Sequence, residues 1–359
     1  MSRKKEERIK DNTMSGEQKK RIDYIDFMNI YACFSVVCIH CSGSVFEYGN
    51  IESRLFLLSL FVQTLAHAAI PVFFMITGTT LLEYRKKYDT KTFFKKRFMR
   101  TGIPFVFWSI FYLLRPVWME GASFPTAEDF RNAILNNQAT NIFWFFYTLF
   151  AIYLCMPIFS LIAKKENFKI IEYLCLLSFL GTAVYPVITR FFFPVYGEIV
   201  PPFVTGNMGY VFLGWLIYHE DYSKRKRMTI YIAGILGALL LFFGTWYLSA
   251  QNGYTDEFFM GYSSLACYPM SAAVMLFGKH VKWERFYRLI PQQTVTKAAS
   301  AGLGIYVVHM FFITVSERFT VLVTHPMYFT VIMPFVIYGI SLAVILVLQK
   351  IPVIRRLVP

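Results

Sequence analysis

Long apolar blocks alternate with short polar stretches from one end of the chain to the other. The blocks run to roughly 20 residues, the length a helix needs to cross a bilayer core. They lack the two-residue alternation of a membrane-barrel strand. Ten blocks are predicted, at about 24–44, 57–82, 102–119, 141–163, 170–190, 205–219, 228–249, 260–279, 300–316 and 329–349. The expected fold is therefore all-α, a polytopic transmembrane helical bundle of about ten spans. It divides into a basic tail at 1–22, a membrane domain at 23–350 and a short tail at 351–359. Residues 1–22 hold no apolar core of a cleaved signal, so the first block is expected to stay as an anchor.

Composition agrees with the pattern. Of 359 residues, 56% are hydrophobic and only 16% charged, where a soluble protein carries about a quarter. The net charge of +14 needs no nucleic acid to explain it. With the N-terminus inside, 31 of the 36 Lys and Arg fall in inner segments, leaving Arg54, Arg115, Arg131, Arg190 and Arg318 outside. That asymmetry follows the positive-inside rule and predicts a multi-pass cell-membrane protein with both termini cytoplasmic. The outer loops are short and carry acidic residues such as Glu47, Glu52, Glu128 and Asp129. All six cysteines lie within predicted spans, which suits small buried side chains better than a disulfide framework.

The first span contains Cys-Ile-His-Cys, residues 38–41. On a helix Cys38 and Cys41 lie about 60° apart, but His40 points about 160° from Cys38. The three cannot converge on one ion, and no metal is expected. His40 instead shares a stripe with Asp26, Asn29 and Cys33, all within about 60° of one another. Polar groups at membrane depth face the bundle interior or a cavity. Interhelical hydrogen bonding and a reactive centre both satisfy that requirement. Asp26 lies about 21 Å from His40 along the helix, too far for direct contact. It suits the positive end of the helix dipole.

Other spans hold further polar positions. His309 follows Tyr306 by one turn and Gly302 by two, in a segment that is either packed helix or a second imidazole facing the same cavity. In the second span, His67 precedes Pro71, which breaks the hydrogen-bond ladder and lets a kinked helix line a cavity. Trp144, at the start of the fourth span, fits an interfacial aromatic belt. The inner loop 85–102 is dense in basic residues, with Arg97 and Arg100 at i, i+3. Such a pair suits bidentate phosphate binding, and equally the positive-inside rule with anionic lipid.

The order of these pieces resembles a known family. An Asp and a His bracket the first span, P-x-F-F-x-x-x-G follows from Pro71, then R-x-x-R at Arg97 and Arg100. W-F-x-Y opens the fourth span at Trp144, and S-x-G-x-Y-x-x-H runs from Ser300 to His309. This set resembles the acyltransferase-3 family of integral membrane O-acyltransferases, over nearly the whole chain. The resemblance implies an acyl-CoA donor, acetyl-CoA in the simplest case, and a hydroxyl acceptor on a surface glycan or lipid-linked saccharide. It implies that His40 is the essential histidine and that Arg97 and Arg100 contact the donor. Two positions depart from the family pattern: Asn29 stands where an arginine is common, and Ile142 and Phe143 precede Trp144 where a histidine is common.

Acyl transfer to a hydroxyl needs a base and a stabiliser of the oxyanion. An imidazole titrates near pH 6.5, so it can accept a proton at neutral pH. His40 is assigned as base or transient acyl carrier, with His309 and Tyr306 orienting it or donating to the oxyanion. Depth opposes this, because His40 lies about 24 Å above the first span's start and His309 about 14 Å above the ninth's. A transporter or flippase of a lipid-linked glycan would use the same polar cavity without covalent chemistry. A non-catalytic membrane module of the same fold is the third reading.

Overall fold

The computed structural model describes residues 23–48, 50–193, 206–319 and 324–359. The basic tail expected at 1–22 lies outside them. Among the described residues the chain is helical, with no strand. The helices are α1 (Asp23–Tyr48), α2 (Arg54–Ala66), α3 (Ala69–Leu81), α4 (Thr90–Arg97), α5 (Ile103–Glu120) and α6 (Ala127–Leu135). Then follow α7 (Trp144–Ile162), α8 (Phe168–Phe179), α9 (Tyr185–Phe191), α10 (Met208–His219), α11 (Lys224–Leu239) and α12 (Thr245–Asn252). The last are α13 (Cys267–His280), α14 (Gln292–Ser300), α15 (Gly302–Glu317), α16 (Pro326–Val331) and α17 (Met333–Leu348).

Every expected block carries helix. Six helical runs are long and apolar enough to cross a membrane: Tyr24–Ser44, Arg54–Lys86, Thr90–Glu120, Asn141–Ile162, Lys165–Phe191 and Lys224–Asn252. The pair α14 and α15, bent by 60°, makes a seventh if counted as one span. The other three blocks carry shorter helices, α10, α13 and α17, of 12, 14 and 16 residues. One reason is local: the block expected at 260–279 opens on Gly261, Ser263 and Ser264, where turns replace helix.

The bundle has a centre and a rim. Two-thirds of the α1 window is buried (67%), against 22% for the runs Lys165–Phe191 and Lys224–Asn252, which turn residues such as Leu176 and Ile235 outward. Short α10 lies largely inside, with Tyr210, Phe212 and Trp215 fully buried. It packs backbone to backbone on α3. A Cβ on Gly78 would meet the Val211 carbonyl at 1.8 Å, and one on Gly214 the Met75 carbonyl at 2.2 Å, so only glycine permits this approach. At the end of α10, Lys279 donates to the carbonyls of Ile217, Tyr218 and Glu220 at 2.7–3.1 Å, closing the helix terminus with positive charge.

The proline signal in the second span is realised as a break. Helix α2 ends at Ala66 and α3 begins at Ala69, with His67 in the turn between. Pro71 has no N–H for the His67 carbonyl, and the Cys267 thiol donates to that carbonyl instead, at 3.7 Å. Ahead of α4, Asp89 caps the helix by accepting from the Thr92 N–H at 3.0 Å. The hydrogen bonds from Thr92 hold its carboxyl below the usual range.

Candidate active site

The polar stripe of α1 faces one partner, the bent pair α14–α15. Thr296 donates to Asp26 at 3.1 Å, and the Asn29 amide donates to the Ala299 carbonyl at 2.8 Å. The Cys33 thiol in turn leans on the Asn29 oxygen at 3.9 Å. These contacts fix the end of α14 and the bend after it. Gly302 starts α15 directly against them: a Cβ there would lie 3.0 Å from both the Asn29 oxygen and the Cys33 sulfur. Asp26 and Asn29 therefore hold the frame, while His40 stands about 16 Å further along α1.

His40 and His309 come together. Their rings lie 5.3 Å apart, centroid to centroid, at 36°. The depth difference expected from the sequence disappears because α15 does not start level with the beginning of α1. It starts level with Asn29 and Cys33, already several turns along α1. The His309 Nδ1 meets the Ile305 carbonyl at 3.2 Å, so Nδ1 carries the proton and Nε2 is left as an acceptor. That Nε2 is buried and has no hydrogen-bond partner. Tyr306 packs 5.9 Å from His309, on Phe145 and Phe146, and its hydroxyl donates to the Ile142 carbonyl. At Ile142, one of the departures from the family pattern, it is thus the backbone that engages Tyr306.

Two polar cavities flank this pair. The one beside the basic loop, termed the inner cavity after the orientation expected from the charge pattern, is about 470 Å³ and is lined by Asp26, Asn29, Arg97, Arg100, Tyr153 and Tyr306, among others. Arg97 ends α4 and Arg100 sits in the π-helical turn Phe98–Gly102 that follows, a local change of winding that re-aims side chains. The Arg97 guanidinium lies 5.8 Å from the rings of Phe93 and Tyr153, and its Nε is buried without a partner. Arg100 is exposed. The segment after α17 folds back here, held by Trp108 on the Leu357 carbonyl and Gln349 on the Val358 carbonyl, both at 3.0 Å. Pro359 reaches the cavity wall.

The outer cavity, about 490 Å³, is lined by His40, Gln63, His67, Asn141, Glu257 and Tyr262, among others. On α15, Tyr306 lines the inner cavity and Met310 the outer, so one helical turn containing His309 separates them. Trp144 has aromatic company beside this cavity. It stacks on Tyr262 at 5.5 Å, and Tyr262 stacks on His67 at 4.8 Å. Gln63 and Tyr262 were missed from the sequence. Gln63 had a usable signal, since it is a polar residue one turn before His67 on an apolar helix. Tyr262 had none, because it lies in a turn far from its partners in the chain. Cys38 and Cys41 are buried free thiols. Among the described residues no group of three His, Cys, Asp or Glu could hold a metal ion.

No curated relative and no solved structure matches the chain. A family model described as an acyltransferase domain matches residues 22–348, which takes in the arginine pair, both histidines and every helix that lines the two cavities. The chain belongs to the acyltransferase-3 family of membrane acyltransferases.

Proposed function

We propose that this acyltransferase moves an acyl group, acetyl in the simplest case, from acyl-CoA to a hydroxyl of a surface glycan or lipid-linked saccharide. The observation that carries the reading is the contact of His40 with His309 at the single turn separating the arginine cavity from the outer one. A hydroxyl in the outer cavity reaches His40 directly. A thioester entering past Arg97 and Arg100 reaches the same turn from the other side.

In this scheme Arg97 and Arg100 hold the phosphates of the donor, with the planar fork giving paired hydrogen bonds. The pantetheine arm passes Tyr306, which lines the inner cavity. The acceptor oxygen attacks the thioester carbonyl as His40 takes its proton. The tetrahedral intermediate then collapses, expelling the CoA thiolate, which recovers the proton from the imidazole. His309 Nε2 is free to accept an N–H from His40, fixing which nitrogen faces the acceptor. All ten blocks cross the membrane in this scheme, both termini are cytoplasmic, and the donor enters from the cytoplasmic side.

Sealed vesicles of known orientation test this. Acetyl-CoA supplied only to the arginine-loop face should acylate acceptor confined to the opposite face. Product formed only when both substrates share the inner face would sink the two-sided scheme. Transport of a lipid-linked glycan with no turnover of acetyl-CoA would mean a carrier on the same fold.

A further inference from the structure

The outer cavity holds two buried hydrogen-bond acceptors with nothing to accept from. Gln63 and His67 lie one turn apart and are 3% and 4% exposed. The Gln63 amide donates through Nε2 to the Ile39 carbonyl at 2.7 Å, which leaves Oε1 buried and without a partner. The His67 Nε2 meets the Met260 carbonyl, so the proton sits on Nε2 and Nδ1 is an acceptor. Nδ1 is also buried and without a partner. A buried polar atom left unpaired costs about 1–3 kcal/mol, so two such atoms on neighbouring residues that line one cavity favour a ligand that donates twice.

The rest of the wall narrows the class. His67 lies flat on Tyr262, with 18° between the rings, and Tyr262 lies on Trp144. These stacks hold Tyr262 rigidly at the cavity wall. Asn141 and Glu257 line the same cavity. Two O–H donors on adjacent carbons, carried on a ring with an apolar face, satisfy this arrangement. A phosphate or carboxylate brings acceptors and would meet acceptors.

We propose that Gln63 and His67 are the specificity-determining residues of the outer cavity, binding vicinal hydroxyls of a neutral sugar ring held beside Tyr262. This rests on the acyl-transfer reading for why the cavity also contains His40. The binding itself does not depend on that chemistry, so the two can fail separately.

The test is direct binding of the methyl glycosides of glucose, galactose and N-acetylglucosamine to the full chain in nanodiscs, without acyl donor. At least one glycoside should bind the wild type. Gln63→Met should weaken it about tenfold, the loss of one neutral hydrogen bond. His67→Phe, which keeps the stack on Tyr262, should do the same. His67→Gln, which retains an acceptor, should recover part of the loss. A second readout is transfer: the variants should raise KM for the glycoside and leave KM for acetyl-CoA unchanged. No glycoside binding by the wild type, or equal binding by folded variants, overturns the proposal. Glycoside binding without any acetyl-CoA turnover would retain this site and remove the acyl-transfer reading.

Discussion

The two cavities are nearly equal in volume and opposite in chemistry. The inner one presents cationic donors: Arg97 and Arg100, the latter exposed at the end of a basic loop. The outer one presents acceptors, the buried Gln63 and His67 with Glu257 on the same lining, beside Tyr262. An anion carried to the membrane surface suits the first, since long-range attraction draws it in and a fork clasps it. A neutral polyol suits the second, where short hydrogen bonds in a low-dielectric wall discriminate by shape. One turn of α15 divides them, and a reaction at His40 and His309 would join what the two sides hold.

The largest effect expected is at that division. His40→Ala should lower transfer by about 10²- to 10⁴-fold, the usual worth of a positioned base. Binding at both cavities should remain, because neither the arginines nor the Gln63 acceptor depends on the imidazole. Transfer rates and separate affinities for donor and glycoside check this. Retained transfer would leave the His40–His309 contact as packing alone.

Next come the arginines. Arg97→Ala and Arg100→Ala should each weaken CoA binding by about 1.5–3 kcal/mol, the range for hydrogen bonds to charged groups. Lysine should rescue poorly at both positions, since it loses the fork. Glycoside binding should not change. Titration with CoA and glycoside in parallel measures how independent the cavities are; equal losses for both ligands would show one continuous site instead of two.

These sites differ in how far the sequence exposed them. The arginine pair is three residues apart and charged, so spacing marks it, while a donor role for it comes only from the family resemblance. His40 emerged from helical periodicity, because Asp26, Asn29, Cys33 and His40 share one face of one helix. The outer cavity is assembled from α1, α2, a break at His67 and a turn at Tyr262, and no local pattern encodes that meeting. The depth of His309 was misjudged for a related reason. Periodicity says where apolar residues run but not that α14 bends by 60° into α15, a bend set by Asn29 and Gly302 from distant parts of the chain.

That bend supplies a smaller effect. Asn29→Ala removes the bond to the Ala299 carbonyl and should cost about 0.5–1.5 kcal/mol of stability. CoA binding should weaken modestly, because the bend shapes the inner wall, and glycoside binding should not. A lowered melting temperature with changed CoA affinity is the expected pair of readings. A loss of glycoside affinity instead would mean that the frame serves both cavities.

The smallest effect should come from the two cysteines that flank His40. Cys38 lies about 160° around the helix from His40, and both thiols are buried in the hydrophobic core. The helix already tolerates a hydroxyl here, since Ser42 donates to the Cys38 carbonyl at 2.6 Å. Cys38→Ser with Cys41→Ser should therefore keep most transfer activity and both affinities, at a stability cost of about 1 kcal/mol for each buried hydroxyl that finds no better partner than its own helix. Thiol-blocking reagents should likewise leave the rate unchanged. The outcome that breaks this picture is a double variant that folds, binds both ligands and transfers nothing. The acyl group would then travel on sulfur, and the histidine pair would serve a thiol nucleophile instead of the acceptor oxygen.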